Sequence, residues 1–191
     1  MKRTSGFLII GFLLTALVLP AKTYVHRSGN QLADTADKNI QLNGVNLGGW
    51  LMWEAWIWGK GFVKESTIEK KLIEVAGKPA VDTFRNAIYN QFITEADIQA
   101  IAGNCFNVVR VPFNHRLLED DATPFVYKDE GWRILDRLIG WCEKNGVYVV
   151  LDLHGSPGGN SGFFTADPDK KKLWQDEKNI RRTASLWKAV A

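Results

Sequence analysis

The chain has 191 residues, with 24 Lys and Arg against 21 Asp and Glu and a formal net charge of +3. That length suffices for one domain with a proper core. The near balance of charge, with no basic face standing out, excludes nucleic acid as the main partner. The three histidines, His26, His115 and His154, lie far apart without ligand spacing, so no metal and no cofactor is implied.

Lys2 and Arg3 precede an apolar run of about thirteen residues at 7–19. A membrane-spanning helix needs about 20 residues, and the shorter run suits the core of a signal peptide. Pro20-Ala21 offers a cleavage point, although Leu19 fits the small-residue position poorly. Residues 1–21 are therefore read as a signal peptide or, if uncleaved, as an N-terminal membrane anchor. The remainder is expected to be secreted or extracytoplasmic, in a periplasm or at a cell surface. Residues 22–39 are polar and lack periodicity, and are read as a linker. The folded domain is expected over 40–191.

Residues 41–50 (QLNGVNLGGW) suggest a short strand with a tight exit at Gly48-Gly49. Residues 51–62 are aromatic and glycine-punctuated, a loop or short helical turn. Ser66 or Thr67 can cap a helix that runs to Val75 and ends near Gly77. Residues 81–92 continue helically, with Val81, Phe84, Ile88 and Phe92 on one face. Thr94 then opens a helix as Thr-Glu-Ala-Asp, a capping-box-like start. Residues 107–113 (NVVRVPF) form the second strand, with Arg110 inside an apolar run. A polar excursion follows over 116–127. From Gly131 a helix carries Trp132, Leu135, Leu138, Ile139 and Cys142 at helical spacing, ended by Asn145-Gly146.

Residues 147–160 (VYVVLDLHGSPGGN) change character midway. The continuous apolar half reads as a parallel strand wetted on neither face. Asp152 and His154 close it, and a glycine-rich loop follows. In parallel α/β folds chemistry sits where strands end and loops begin, and His154 stands there. Residues 163–172 are irregular, and Asp176 opens a last helix with Ile180, Ala184 and Trp187 on one face. The alternation of strands and helices predicts an α/β fold with a parallel sheet and right-handed crossovers. Three parallel strands would leave two open edges, so the pattern reads as the first part of a larger barrel. An exported chain with two cysteines invites a disulfide. Cys105, just before a strand, and Cys142, on a buried helical stripe, read better as free, buried small hydrophobes.

Three segments, GVNLGGWLMWEAW at 44–56, NVVRVPFNH at 107–115 and VVLDLHGSPGGN at 149–160, together resemble the start of glycoside hydrolase family 5. The likeness is to its branch of exo-β-1,3-glucanases and related β-glucanases, and it runs over roughly residues 40–190. It implies an α/β fold that is the N-terminal portion of a (β/α)8 TIM barrel, about three of the eight β/α units. It also implies retaining hydrolysis of O-glycosyl bonds in a β-glucan-type polysaccharide or oligosaccharide, that carbohydrate being the expected partner. The family's two catalytic glutamates follow its fourth and seventh strands, the first in an Asn-Glu-Pro motif. No such motif occurs in this chain, and both glutamates are expected beyond Ala191. Retention needs two carboxyl groups about 5–5.5 Å apart, so the chain alone is expected to be inactive. The alternative is a glucan-binding or non-functional fragment.

The resemblance also implies roles for single residues. Arg110 matches the family's arginine beneath the nucleophile, where a guanidinium orients a carboxylate through paired hydrogen bonds. The bland alternative is an arginine bridging strand ends. His154 matches the histidine that hydrogen-bonds around the −1 sugar, against a satisfied core histidine. Glu54 matches a glutamate binding sugar hydroxyls at the non-reducing end, against a surface glutamate. His115 and Asn160 are further candidates for sugar contacts. Among the clustered tryptophans, Trp50 is expected to be structural and one of Trp53, Trp56 and Trp58 to stack on sugar, with Trp53 assigned to substrate. Asp152 shares the parity of His154 but lies a layer deeper, and is read as a structural acceptor. No G-x-S-x-G elbow and no Gly-Lys-Ser/Thr element occurs, which argues against a serine hydrolase and a phosphate loop.

Overall fold

The computed structural model describes residues 24–59, 61–169 and 172–191. The expected signal segment, 1–21, lies outside the described residues. Among the described residues no helix is long and apolar enough to cross a membrane. The chain divides into two compact units, the sequence boundary falling between Ile40 and Gln41.

The first unit carries β1 (His26–Ser28), β2 (Gln31–Ala33) and β3 (Asn39–Ile40), an antiparallel sheet in that order. Within the linker expected over 22–39, His26–Ser28, Gln31–Ala33 and Asn39 are therefore paired, not irregular. Gly29, at φ +61°, makes the first turn. The Asp34 carboxylate accepts from the Ala36 and Lys38 N–H groups at 2.9 and 3.0 Å and shapes the second. Strands of two or three mostly exposed residues have no apolar period to announce them.

The second unit runs β4 (Gly44–Asn46), α1 (Glu65–Ala76), α2 (Lys78–Gln91), α3 (Glu95–Gly103), β5 (Val108–Asn114), β6 (Glu119–Asp120), β7 (Thr123–Tyr127), α4 (Asp129–Lys144), β8 (Tyr148–Gly155) and α5 (Glu177–Val190). Strands β4, β5 and β8 are parallel, with β5 central, and Asn46, Arg110 and Val150 share one register level. The Asp97 carboxylate accepts from the Thr94 N–H at 2.7 Å, so the predicted acidic cap of α3 is present. Asp176 caps α5 by accepting from the Lys178 N–H at 2.9 Å. Helix α1 starts one residue before the expected cap, because the Ser66 hydroxyl bonds Asp167 instead. The polar excursion over 116–127 is a 3-10 turn, His115–Leu117, followed by the hairpin β6–β7. Its anchor is Glu119, fully buried, which accepts from Arg182 Nε at 2.8 Å and the Phe125 N–H at 2.9 Å.

The core lies on the outer face of the sheet, where Val109, Val111 and Phe113 of β5 meet Ile98, Leu135, Leu138 and Leu186 of the helices. Strand parity sends Arg110 and Pro112 to the inner face. That face is open, which corrects the reading of β8 as wetted on neither side: Val150 is 44% exposed. The three strands with their helices are thus a partial (β/α)8 barrel, whose inner face a closed barrel would cover. Both cysteines are free. Cys142 is buried on α4 as expected, but Cys105 is exposed, at φ +62° in the turn before β5.

Candidate functional site

A pocket of about 450 Å³ opens at the C-terminal ends of β4, β5 and β8. Its floor is polar. Arg110, on the central strand, is held from both sides: Nη1 donates to Asn46 Oδ1 at 3.2 Å, and Nη2 donates to Asp152 Oδ2. His154 Nδ1 lies 3.0 Å from that same Asp152 oxygen and 3.3 Å from Arg110 Nη2. The side chains meet because Asn46 and Arg110 share a register level while Asp152 and His154 lie two and four residues beyond Val150 on one face. The hydrogen bond from His154 holds the Asp152 carboxyl below the usual range; partial burial opposes this and the Arg110 charge adds to it.

The loop after β4 supplies one wall. Glu54 is only 7% exposed and accepts from Trp56 Nε1 at 3.1 Å. It is therefore a buried carboxylate at the pocket, not a surface glutamate. Trp56 is half exposed and lines the pocket with its ring. Trp50 is fully buried, as expected of a structural residue. Trp53 does not reach the pocket, which corrects its assignment to substrate. It is 1% exposed and packs against Trp58 at 5.8 Å and edge-on to Phe84 at 5.5 Å. The Arg85 guanidinium lies 5.7 Å over its ring. Its side of the turn faces α2, and Trp56 takes the open side.

His115 is corrected as well. It is 1% exposed, with Nδ1 2.8 Å from the Gly155 carbonyl and Nε2 3.0 Å from Asp121. It ties the end of β5 to the end of β8. Burial would raise the Asp121 carboxyl, but the hydrogen bond from His115, the charges of His115 and Arg116 and the hydrogen bond from Arg182 hold it well below the usual range. Asn160 is exposed on the glycine loop and does not line the pocket.

Sequence reasoning missed Asn46, Trp56 as the exposed ring, and Thr165 on the far wall. Asn46 was within reach, because strand parity from Gly44 puts it on the inner face. Thr165 was not: its loop is set by long-range contacts. Asp167, at φ +47°, accepts from the Ser66 hydroxyl at 2.6 Å, the Ser66 N–H at 3.1 Å and Arg116. Lys64 Nζ donates to the Pro168 carbonyl at 2.9 Å. A second hollow, of about 490 Å³, lies on the helical side against Asn90, Arg133 and Arg137, away from the strand ends. Among the described residues no group of three or more His, Cys, Asp or Glu could hold a metal ion. The pocket therefore offers a guanidinium, an imidazole, a buried carboxylate and an aromatic face, a set suited to a ligand with many hydroxyls and an apolar C–H face.

The family model for cellulase (glycosyl hydrolase family 5) matches residues 34–191. A beta-xylosidase of Phanerodontia chrysosporium is 35% identical over 170 residues, covering 88% of this chain and 36% of that protein. Glucan 1,3-beta-glucosidase 1 of Schizosaccharomyces pombe is 33% identical over 191 residues, covering 96% of this chain and 46% of that protein. In fold the chain is similar to the crystal structure of rutinosidase from Aspergillus niger, with a TM-score of 0.64 and 24% identity over 78% of this chain and 43% of that one. The chain thus spans less than half the length of these relatives. Matched over most of its length and built on three parallel β/α units, the chain belongs to glycosyl hydrolase family 5.

Proposed function

We propose that the chain is the sugar-binding N-terminal part of an exported, retaining β-glycosidase of β-glucan-type polysaccharides or oligosaccharides. On this reading the acid/base and nucleophile glutamates are not among its residues. One observation carries it: Asn46, Arg110, His154, Glu54 and Trp56 converge on a single pocket at the strand ends. A pyranose stacks its C–H face on an aromatic ring and offers its hydroxyls to charged groups, and both kinds of partner stand together here. Retention requires a nucleophile and an acid/base about 5–5.5 Å apart. Asp152, paired with Arg110 and His154, is read as a structural acceptor, and Glu54, which accepts from Trp56, as a sugar-binding carboxylate. Arg110 stands ready to steady a carboxylate brought to the open inner face. The relatives named for glucan 1,3-β-glucosidase and β-xylosidase activity support a β-linked sugar as ligand. Export rests on the apolar stretch 7–19.

The test is the purified full chain with β-1,3-linked glucose oligosaccharides, followed by calorimetry and by release of reducing sugar. Binding without hydrolysis is expected. Hydrolysis above that of an Arg110→Ala, His154→Ala control would refute the missing catalytic pair. A folded chain that binds no oligosaccharide would refute the carbohydrate reading.

A further inference from the structure

Three polar atoms crowd together in the pocket floor. His154 Nδ1 lies 3.0 Å from Asp152 Oδ2 and 3.3 Å from Arg110 Nη2, while Arg110 Nη2 also donates to Asp152 Oδ2. These contacts are not all hydrogen bonds at once. A guanidinium only donates, an ionised carboxylate only accepts, and a neutral imidazole nitrogen does one or the other. If Nδ1 held a lone pair it would accept from Arg110, but that lone pair would then face a carboxylate oxygen at 3.0 Å. If Nδ1 holds the proton, it donates to Asp152 along the shorter contact, and Arg110 is satisfied by Asp152 and Asn46.

We propose that Asp152 is a positioning residue: it fixes His154 as the Nδ1–H tautomer and so makes Nε2 a hydrogen-bond acceptor in the pocket. No partner for Nε2 is found among the described residues, and the ring lines the pocket. Arg110 completes the device by holding Asp152 in place from the central strand. What Nε2 meets rests on the carbohydrate reading: a sugar hydroxyl that points its hydrogen at the ring. Without Asp152 the one polar neighbour left at Nδ1 among the described residues is Arg110, an obligate donor. The proton then moves to Nε2, and the pocket presents a donor where it had presented an acceptor.

The experiment is long-range proton–nitrogen correlation spectroscopy on the nitrogen-15-labelled full chain, at a pH where the ring carries one proton. The unmodified chain is expected to show His154 protonated at Nδ1. Asp152→Ala is expected to move the proton to Nε2. Asp152→Leu, which keeps the branched shape without an oxygen, does the same if the alanine variant folds poorly. A merely structural Asp152 would leave the tautomer where it was. A proton on Nε2 in the unmodified chain, or on Nδ1 in a folded Asp152 variant, overturns the proposal. Titration with a β-1,3-linked glucose disaccharide forms the second arm, with affinity expected to fall about two- to tenfold on the loss of one hydrogen bond. A tautomer that behaves as stated in a chain that binds no disaccharide removes the sugar and leaves the positioning role standing.

Discussion

Glu65 gives the sharpest quantitative expectation. It opens α1 and is buried, with Oε2 accepting from Asn114 Nδ2 at 3.0 Å and the Trp53 N–H at 3.2 Å. Burial pushes its carboxyl up; the Asn114 hydrogen bond opposes this, the Asp167 charge adds to it, and the Trp53 N–H and Arg116 oppose it again. The net result is a rise from the ordinary 4.5 to about 7. Between those values the folded chain binds more protons at this site than the unfolded chain, so stability falls as pH rises. The contribution is whole below 4.5 and lost through about 7. At about 1.36 kcal/mol for each tenfold change in proton affinity, the loss is about 3 kcal/mol. Glu65→Gln keeps an oxygen for Asn114 and Trp53, turns its amide toward Asp167 and cannot ionise. Urea unfolding at about pH 4 and about pH 8 measures the effect. The variant is expected to match the parent at the lower pH and to exceed it by up to about 3 kcal/mol at the higher. Subtracting the variant's slope removes every other titrating group. Equal slopes for the two proteins would refute the reasoning.

The two tryptophans on opposite sides of one turn should separate stability from binding. Trp53→Ala is expected to cost about 3–5 kcal/mol in urea unfolding, the usual price of emptying a large buried ring. Trp56→Ala should leave stability nearly unchanged and weaken oligosaccharide binding severalfold by calorimetry. Asp121, held below its ordinary 3.8, contributes stability above that value that is lost as pH falls. Asp121→Asn should therefore lower stability at neutral pH, with the gap to the parent closing in acid. A thiol reagent should label Cys105 in the folded chain at once. Cys142, buried and pushed up to about 12, should react only on unfolding, and two equivalents in the native chain would contradict this.

Wherever the signal is local, the sequence carried the fold. The valines of 108–111 and the apolar run of 149–153 became β5 and β8, and Thr94 with Asp97 capped α3. Arg110 stood out because a charge interrupts the valines of an apolar strand, and His154 because an imidazole stands at the C-terminal end of one. Partnerships across long separations were not legible. His115 looked like a site residue because it follows a strand, yet both of its nitrogens are taken by Gly155 and Asp121. Nothing near Asp167 in sequence announces that Ser66 and Arg116 will hold it. Trp53 and Trp56 are three residues apart, and only the turn between them decides which ring is buried.

The inner face of the sheet explains why β8 misled and why the site lies where it does. Read up the strands by register, the lowest level is Gly44, Val108 and Tyr148, the next Asn46, Arg110 and Val150, and the next Pro112 and Asp152, with His154 above. The lowest level admits no side chain on β4: a Cβ on Gly44 would stand 1.8 Å from the Val108 carbonyl oxygen. That close approach brings β4 near enough for Asn46 to reach Arg110 at 3.2 Å. The face turns from apolar to polar at the second level on β5 and at the third on β8, so Val150 still belongs to the apolar lower part of the face. An apolar residue on each side of β8 up to that level is what made the strand read as doubly buried. On the opposite face Val109, Val111 and Phe113 are fully buried. A slip of one residue would drive Arg110 into that core, where an unpaired charge is prohibitive. The packing that stabilises the outer face therefore fixes the register that assembles the inner one.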